Sequence, residues 1–370
     1  MSNFKKYLLL ICLLNFSVFN FSFGMNWTDS NYIFKKPFED DICSYSNRNK
    51  PNDGEYGKLI SFGGEKNVYN YGIKDFLSEK LVSNKVLIKF KVLQDCDIVD
   101  DVQKSNYETE RDFLLENKKN PNVINLIAYD DNNKILIEER WGWDLWDEFE
   151  NIYNYTLLEK LEILIQIVEF LNYMHKNGYV YRDLKFENIL IRFTEEFPKI
   201  KFVDFTSVCK GNIENRFVES SFCCGTYSYF SPNYFLETEQ FKVNSKNKKI
   251  KFYFADDIYS FGILMWELLY AKDIQEFVIN LDGINNKTLN NGSYVANKIS
   301  NGWRPELNQN FLYDLVITEI FDEKICKQFS ENFNKIIESC WAEDVNSRPT
   351  SEQLLYDLEN IYKILNEIEY

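Results

Sequence analysis

Apolar residues follow two different periodicities in this sequence, and the change comes near its middle. Between Lys58 and Glu139 they form short runs, and residues 86–93 and 134–138 are typical of β-strands. Residues 108–117 instead show the spacing of one amphipathic helix. The first part of the chain is therefore predicted to be β-rich, with a single helix.

Helical spacing dominates from residue 157 onward. Residues 157–177 form a long amphipathic stretch, and residues 333–340 and 351–364 indicate two more helices. Residues 258–269 are apolar on nearly every side, which is typical of a helix surrounded by other helices. Together the two parts predict an α+β fold, with a small β lobe followed by a larger helical lobe.

The first residues of the chain, 1–24, have the pattern of a secretory signal peptide. Two lysines precede an apolar run from residue 7 to about residue 23, and the small residue Gly24 follows it. The run is shorter than the ~20 apolar residues of a spanning helix; an uncleaved anchor would still leave the domain in the same lumen. We expect a secreted or lumenal protein, free of the membrane after cleavage, with residues 25–56 forming an extension on the main domain.

Charge narrows the range of partners. The chain has 57 acidic and 42 basic residues, for a formal net charge of −15. Such an excess repels phosphate backbones, so nucleic-acid binding is disfavoured. Basic protein substrates would be favoured, although a solvated acidic surface without any partner gives the same composition.

Four side chains suited to phosphoryl transfer follow short apolar runs. They are Asp183, Lys185, Asn188 and Asp204, all within 22 residues. One carboxylate can orient an attacking hydroxyl, while a second carboxylate and an amide oxygen hold Mg²⁺. A lysine can neutralise charge on the transferring phosphoryl group. Any one of these residues alone would be unremarkable at a surface, but the ordered set indicates phosphoryl-transfer chemistry.

The segments that contain these residues resemble the motifs of eukaryotic protein kinases. Residues 181–188 resemble the catalytic loop, and residues 203–206 resemble the metal-binding Asp-Phe-Gly motif. Further similar segments follow in the family's order: the substrate-binding loop at 225–233, a buried helix start at 257–262, and segments 302–305 and 340–349, which resemble the tyrosine-kinase-like group. The resemblance implies the two-lobed protein-kinase fold, with a small antiparallel β lobe over residues 57–141 and a larger, mainly α-helical lobe over residues 142–366.

The resemblance also implies roles for single residues. Asp183 would be the catalytic base, and Lys185 would contact the γ-phosphate of ATP. Asn188 and Asp204 would hold Mg²⁺, and Glu110 would pair with the lysine of a neighbouring strand. Gly63, Val68, Glu138, Asp144 and Leu190 would contribute to the nucleotide site, with Ile137 as gatekeeper, residues 138–141 as the hinge and Asp144 at the ribose.

The strand lysine has two candidates. Lys89 keeps an apolar residue two positions earlier, where the adenine would lie, whereas choosing Lys91 would place the charge of Lys89 over the base. Both lie on one face of a strand because strand side chains repeat every two residues. Since burying an unpaired charge is costly, we prefer Lys89.

Three positions depart from the family pattern. Only the middle glycine of the glycine-rich loop, Gly63, is kept; Glu65 there would oppose phosphate, although Lys66 could compensate. Thr206 replaces the glycine of Asp-Phe-Gly and stiffens the backbone. Asn233 replaces the glutamate that would pair with the arginine at Arg348, so that the charge-assisted part of this contact is expected to be lost.

The segment after Asp204 includes possible phosphorylation sites. Arg182 would meet a phosphate on this segment, and Ser220 and Ser221 could accept one. The similarity of Lys185 and Thr226 to serine/threonine kinases predicts transfer from Mg²⁺-bound ATP to serine or threonine of proteins. The alternatives are a pseudokinase that acts as a binding or allosteric scaffold, and a kinase-fold enzyme with a small-molecule substrate.

Overall fold

The computed structural model describes residues 58–62, 66–74, 81–90, 106–195, 197–243, 249–282, 291–314 and 323–369. Two compact units divide the chain: Met1–Asn47 with Ile73–Lys80, and Arg48–Gly72 with Leu81–Tyr370. Apart from two residues at the end of one strand, every element below belongs to the second unit. The predicted signal peptide and extension lie outside the described residues.

A five-stranded sheet and one helix form the small lobe. The strands are β1 (Lys58–Phe62), β2 (Lys66–Lys74), β3 (Leu81–Phe90), β4 (Leu126–Asp130) and β5 (Ile135–Glu139), in the order β1-β2-β3-β5-β4, and the helix is α1 (Asn106–Glu116). β3 is antiparallel to β5 with Ile88 opposite Leu136, and β4 is antiparallel to β5. Tyr107, Phe113 and Leu114 of α1 are buried, as its apolar spacing requires. The predicted strands and helix of this lobe are confirmed wherever the chain is described.

The larger lobe is mainly helical. Its helices are α2 (Leu157–Lys176), α3 (Pro232–Val243), α4 (Phe254–Tyr270), α5 (Ile274–Leu281), α6 (Asn291–Ser300), α7 (Phe311–Asp314), α8 (Glu323–Cys340) and α9 (Ser351–Glu369). Thr156 precedes α2 and forms a capping box, in which the Thr156 hydroxyl accepts from the backbone amide of Glu159 and the Glu159 carboxylate accepts from the backbone amide of Thr156. Every residue of α4 except Ala255 is buried, which confirms the prediction of a helix enclosed by others.

Three small antiparallel ladders position the loops between these helices. They are β6 (Trp143–Asp144) with β8 (Ile189–Phe193) and β9 (Pro198–Phe202), β7 (Tyr179–Val180) with β10 (Cys209–Lys210), and β11 (Phe217–Ser220) with β12 (Ile250–Tyr253). In the described part of the chain, no helix is long and apolar enough to cross a membrane. The α+β architecture with two lobes is confirmed.

Candidate active site

The loop between β7 and β8 is held in place by a buried carboxylate at the start of α4. Asp257 accepts hydrogen bonds from the amides of Tyr181 and Arg182, each at 2.9 Å. Nε2 of His175 lies 3.1 Å from the same carboxylate. Arg182 adopts a left-handed φ of 69°, a conformation that non-glycine residues adopt only when the surroundings support it. Asp257 therefore fixes the backbone immediately before Asp183.

Asp183 lies at the centre of a hydrogen-bonded group. Its Oδ1 accepts from the Thr226 hydroxyl at 2.7 Å, and its Oδ2 accepts from the Asn188 amide at 2.9 Å. Nζ of Lys185 lies 3.1 Å from Oδ2 and donates to the Thr226 hydroxyl at 3.0 Å. The Asp183 and Lys185 side chains keep 12 and 20 % of their surface exposed, so both remain accessible. The three residues predicted as catalytic in this loop are thus in mutual contact, together with Thr226.

Asp204 lies two residues after the end of β9. It has a φ of 61°, and its carboxylate accepts from the Thr206 hydroxyl at 2.7 Å. Burial alone would raise the pKa of Asp204, but attraction to the Lys66 ammonium and hydrogen bonds from Lys66 and Thr206 lower it below its ordinary value. Thr206, the departure from the family glycine, therefore supports the ionised form of the neighbouring carboxylate.

Phe205, beside Asp204, packs beneath α1. Its ring is fully buried and stacks on Phe113 with a centroid distance of 4.4 Å. Its backbone amide donates to Oε1 of Glu110 at 3.1 Å. This packing ties the position of Asp204 to the position of α1.

Glu110 forms an ion pair with a lysine of β2. Nζ of Lys66 lies 3.1 Å from Glu110 Oε2 and 2.9 Å from Asp204 Oδ1. Burial opposes the ammonium, but attraction to Asp204 and Glu110 outweighs it and raises the pKa of Lys66. The prediction assigned the partner of Glu110 to β3. Lys89 lies on that strand, opposite Ile135, but its side chain is not among those described, and Lys91 lies outside the described residues altogether.

Comparison with known proteins agrees with this geometry. A family model described as protein kinase domain matches residues 76–358. The chain belongs to the protein kinase family. Similar proteins include protein kinase C delta type of Homo sapiens (26 % identity over 234 residues, 60 % of this chain and 32 % of that protein) and ribosomal protein S6 kinase beta of Caenorhabditis elegans (29 % over 224 residues, 59 and 36 %). A putative serine/threonine-protein kinase of Acanthamoeba polyphaga mimivirus, R436, is 26 % identical over 257 residues, 66 % of this chain and 81 % of that protein. The match spans about a third of the human and nematode proteins.

Glu138, one of the residues predicted to contribute to the nucleotide site, has a buried carboxyl group. Glu138 was predicted to open the hinge, but β5 continues to Glu139, so the first two residues of the predicted hinge belong to the strand. Glu138 lies opposite Val86 and is 3 % exposed, and its Oε1 has no hydrogen-bond partner among the described residues. Burial and repulsion from Glu110 raise the pKa of Glu138 well above its usual range.

The remaining predicted nucleotide residues lie in two places. Asp144 and Leu190 are brought together because they are opposite each other in the β6–β8 ladder. Burial raises the pKa of Asp144, whose carboxylate accepts from the amide of Asp147 at 2.7 Å. Val68 on β2 is partly buried and packs against the main core, and Gly63 lies outside the described residues.

The segment after Asp204 is held by a ladder that the sequence did not reveal. β11 is antiparallel to β12, with Ser220 opposite Ile250. The Ser220 hydroxyl is buried and donates to the carbonyl of Phe222 at 2.9 Å. The Phe222 ring lies 5.5 Å from the Arg182 guanidinium, the group that was expected to meet a phosphate on this segment.

Arg348 has a partner that was missed. It donates to the Asn233 side-chain oxygen at 2.9 Å, as an amide at that position allows, but it also forms a buried ion pair with Asp256 at 3.0 Å. Asn233 therefore makes the expected hydrogen bond, and Asp256, a partner that was not predicted, pairs the charge of Arg348. Asp256 also accepts a hydrogen bond from the Ser231 hydroxyl at 2.6 Å. Its position next to Asp257 is the sequence feature that could have indicated Asp256 as a partner.

Proposed function

We propose that this chain is a serine/threonine protein kinase, which transfers the γ-phosphate of ATP to hydroxyl groups of proteins. The observation that carries the proposal is the Asp183 carboxylate, held by Thr226, Asn188 and Lys185 in one group. Asp204 follows Asn188 in the sequence, and its neighbours Lys66 and Thr206 lower the pKa of its carboxyl group, which favours the ionised form. Both carboxylates needed for phosphoryl transfer thus have fixed positions.

In this mechanism Asp183 accepts a hydrogen bond from the substrate hydroxyl and orients its oxygen toward the γ-phosphorus. A bond forms between that oxygen and phosphorus while the bond to the bridging oxygen of ADP breaks, and the hydroxyl proton passes to the Asp183 carboxylate. Lys185 lies 3.1 Å from the same carboxylate. It neutralises charge on the phosphoryl oxygens while the phosphoryl group passes from ADP to the substrate oxygen.

The donor set suits Mg²⁺. Among the described residues, no cluster of three or more histidine, cysteine, aspartate or glutamate side chains could hold a metal ion. Mg²⁺ commonly uses one or two protein carboxylates together with substrate phosphates and water, so Asp204 and the side-chain oxygen of Asn188 would suffice. When bound, the ion neutralises the phosphates of ATP.

The choice of serine or threonine as acceptor is supported by the Lys185–Thr226 contact of 3.0 Å, since both residues match the serine/threonine-kinase pattern. We assign the chain to the tyrosine-kinase-like group on its C-terminal segments. Their packing is consistent with this assignment, because Arg304 of one segment donates to the carbonyl of Trp341 in the other at 3.3 Å.

The proposed setting is the secretory pathway. The signal-peptide pattern of residues 1–24 supports this location, and the net charge of −15 supports basic protein substrates and disfavours nucleic acids. Deletion of residues 1–24 should abolish secretion from a eukaryotic expression host. Equal secretion of the full and truncated chains would contradict the location.

Activity is tested with purified chain, Mg²⁺, radiolabelled ATP and matched sets of basic and acidic peptides containing serine, threonine or tyrosine. Wild type should label serine and threonine peptides, and Asp183→Asn should lower the rate by about 10²–10⁴-fold, the range for loss of a positioned acid–base group. Asp282→Asn, a change to an exposed carboxylate paired with Lys298, serves as the matched control.

The pseudokinase alternative is favoured by one observation, the glycine-rich loop that retains only Gly63 of three glycines. It predicts that wild type and Asp183→Asn bind Mg²⁺–ATP equally and that neither labels any peptide. That result would replace the enzymatic proposal. Labelling of tyrosine peptides alone would retain a kinase but refute the assigned acceptor.

A further inference from the structure

We propose that Lys66 of β2 is the lysine that binds the ATP phosphates in this kinase, and that Lys89 of β3 is not needed for this role. The inference rests on the proposed nucleotide-dependent function, but it concerns a different question: which strand supplies the cation. The prediction from sequence had placed that cation on β3.

The first argument is the pair of contacts made by one ammonium group. Lys66 Nζ lies 3.1 Å from Glu110 of α1 and 2.9 Å from Asp204. Its side chain is 14 % exposed, and that of Glu110 is fully buried. Lys66 thus joins the helix carboxylate to the carboxylate expected to hold Mg²⁺. A cation at this point is beside the metal and its bound phosphates.

The second argument is the register of the sheet. Ile88 lies opposite Leu136, and Glu138 follows two residues later on β5, so Ile88, Leu136 and Glu138 share one face. Glu138 interacts electrostatically with Lys66, Glu110 and Asp204. On the face that includes Glu138, β3 therefore presents Ile88, an apolar residue that is 5 % exposed.

The third argument is the position of Lys66 within its strand. Asn67 pairs with Phe62 of β1, and Lys66 is the first residue of β2, which follows β1 after residues 63–65. This part of the sequence resembles the glycine-rich loop that covers the phosphates in similar kinases. A lysine at this point can reach the phosphates from the loop itself.

Local charge explains why the site depends on this lysine. Glu110, Asp204 and Glu138 place three carboxyl groups around Lys66. Without the ammonium, Glu110 and Asp204 would face the triphosphate with only Mg²⁺ to offset them. Truncating one partner of a buried charge pair typically weakens binding by about 30-fold or more. The loss should apply to ligands with phosphates and not to adenosine.

The experiment compares Lys66→Met with Lys89→Met, which remove the same charge from adjacent strands. Dissociation constants for Mg²⁺–ATP, Mg²⁺–ADP and adenosine are measured by calorimetry on the full chain. Lys66→Met should bind Mg²⁺–ATP about 30-fold or more weakly and adenosine as well as wild type does. Lys89→Met should keep the wild-type affinity for all three ligands. Adenosine binding shows in each case that the site has folded.

A transplanted lysine gives a second, independent measurement. The double variant Lys66→Met, Ile88→Lys returns a cation to the face of β3 that includes Glu138, and it should regain at least about tenfold in Mg²⁺–ATP affinity, or 1.4 kcal/mol. Loss of Mg²⁺–ATP affinity in Lys89→Met with retention in Lys66→Met would overturn the inference, as would a double variant that binds adenosine normally but ATP no better than Lys66→Met. Wild type that binds Mg²⁺–ATP no better than adenosine would contradict the proposed function itself. This result is read from wild type alone, so it is distinct from the variant results that would overturn the role of Lys66.

Discussion

Replacement of Asp257 by asparagine should disrupt the catalytic loop while leaving the volume of the side chain unchanged. The fully buried carboxylate accepts from two backbone amides at 2.9 Å and faces His175. The asparagine oxygen can accept from only one of these amides in the same geometry, and its NH₂ group would then face the other donor. The expected result is a weakened anchor immediately before Asp183.

The magnitude follows from the hydrogen bonds lost. One buried amide left unpaired costs about 1–3 kcal/mol, and loss of charge assistance at the other adds roughly 1 kcal/mol. A total of about 3 kcal/mol is a large fraction of the roughly 5–15 kcal/mol by which proteins are stable. With a urea dependence of about 3 kcal/mol per molar, the unfolding midpoint should fall by about 1 M.

Activity should fall further than stability alone would explain. A displacement of about 1 Å in a positioned catalytic group can lower the rate about 10²-fold. Steady-state kinetics are measured without urea, at a temperature where both proteins are folded. They should show a kcat lowered by about 10²-fold, with a smaller change in KM for ATP. Asp282→Asn is the control for the loss of an aspartate charge. A midpoint within about 0.3 M of wild type, or an unchanged kcat in a folded Asp257→Asn, would refute the reasoning.

Three further predictions concern other described side chains. Thr226→Val removes the hydrogen bonds with Asp183 and Lys185 at 2.7 and 3.0 Å and should lower kcat about tenfold to a hundredfold, whereas Thr226→Ser keeps the hydroxyl and should retain most activity; equal kinetics of the two variants would contradict the role. Lys160 is buried in α2, and burial lowers its pKa to about 8. The unfolded chain therefore holds more protons between pH 8 and about 10.5, so the folded state carries a penalty of about 3 kcal/mol below pH 8 that is relieved as the pH rises toward 10.5. Lys160→Met should be more stable than wild type in urea at pH 7, with a difference that shrinks between pH 8 and 10; a constant difference would show that charge burial is not the cause. Ser220 is buried in β11 opposite Ile250, so Ser220→Ala should keep kcat and Ser220→Glu should lower it by disturbing the ladder; a more active Ser220→Glu would instead indicate activation by phosphorylation.

Sequence alone was sufficient to place the candidate catalytic residues in one loop. Asp183, Lys185 and Asn188 lie within six residues, and a short stretch of backbone fixes their mutual positions. The hydrophobic pattern likewise determined α4, because a segment that is apolar on every side can only be stable when enclosed. These features depend on local order along the chain, which can be read directly.

Contacts between distant segments required the tertiary structure. Lys66 and Glu110 are 44 positions apart, and Asp256 and Arg348 are 92 apart. The sequence indicated a lysine of β3 as the partner of Glu110, and it indicated Asn233 but not Asp256 as a partner of Arg348. These contacts depend on strand register and helix placement, since a shift of one residue turns a strand side chain to the opposite face. The sequence determined which chemical groups this kinase has, and the packing of β2 against α1 placed the Lys66 ammonium between Glu110 and Asp204.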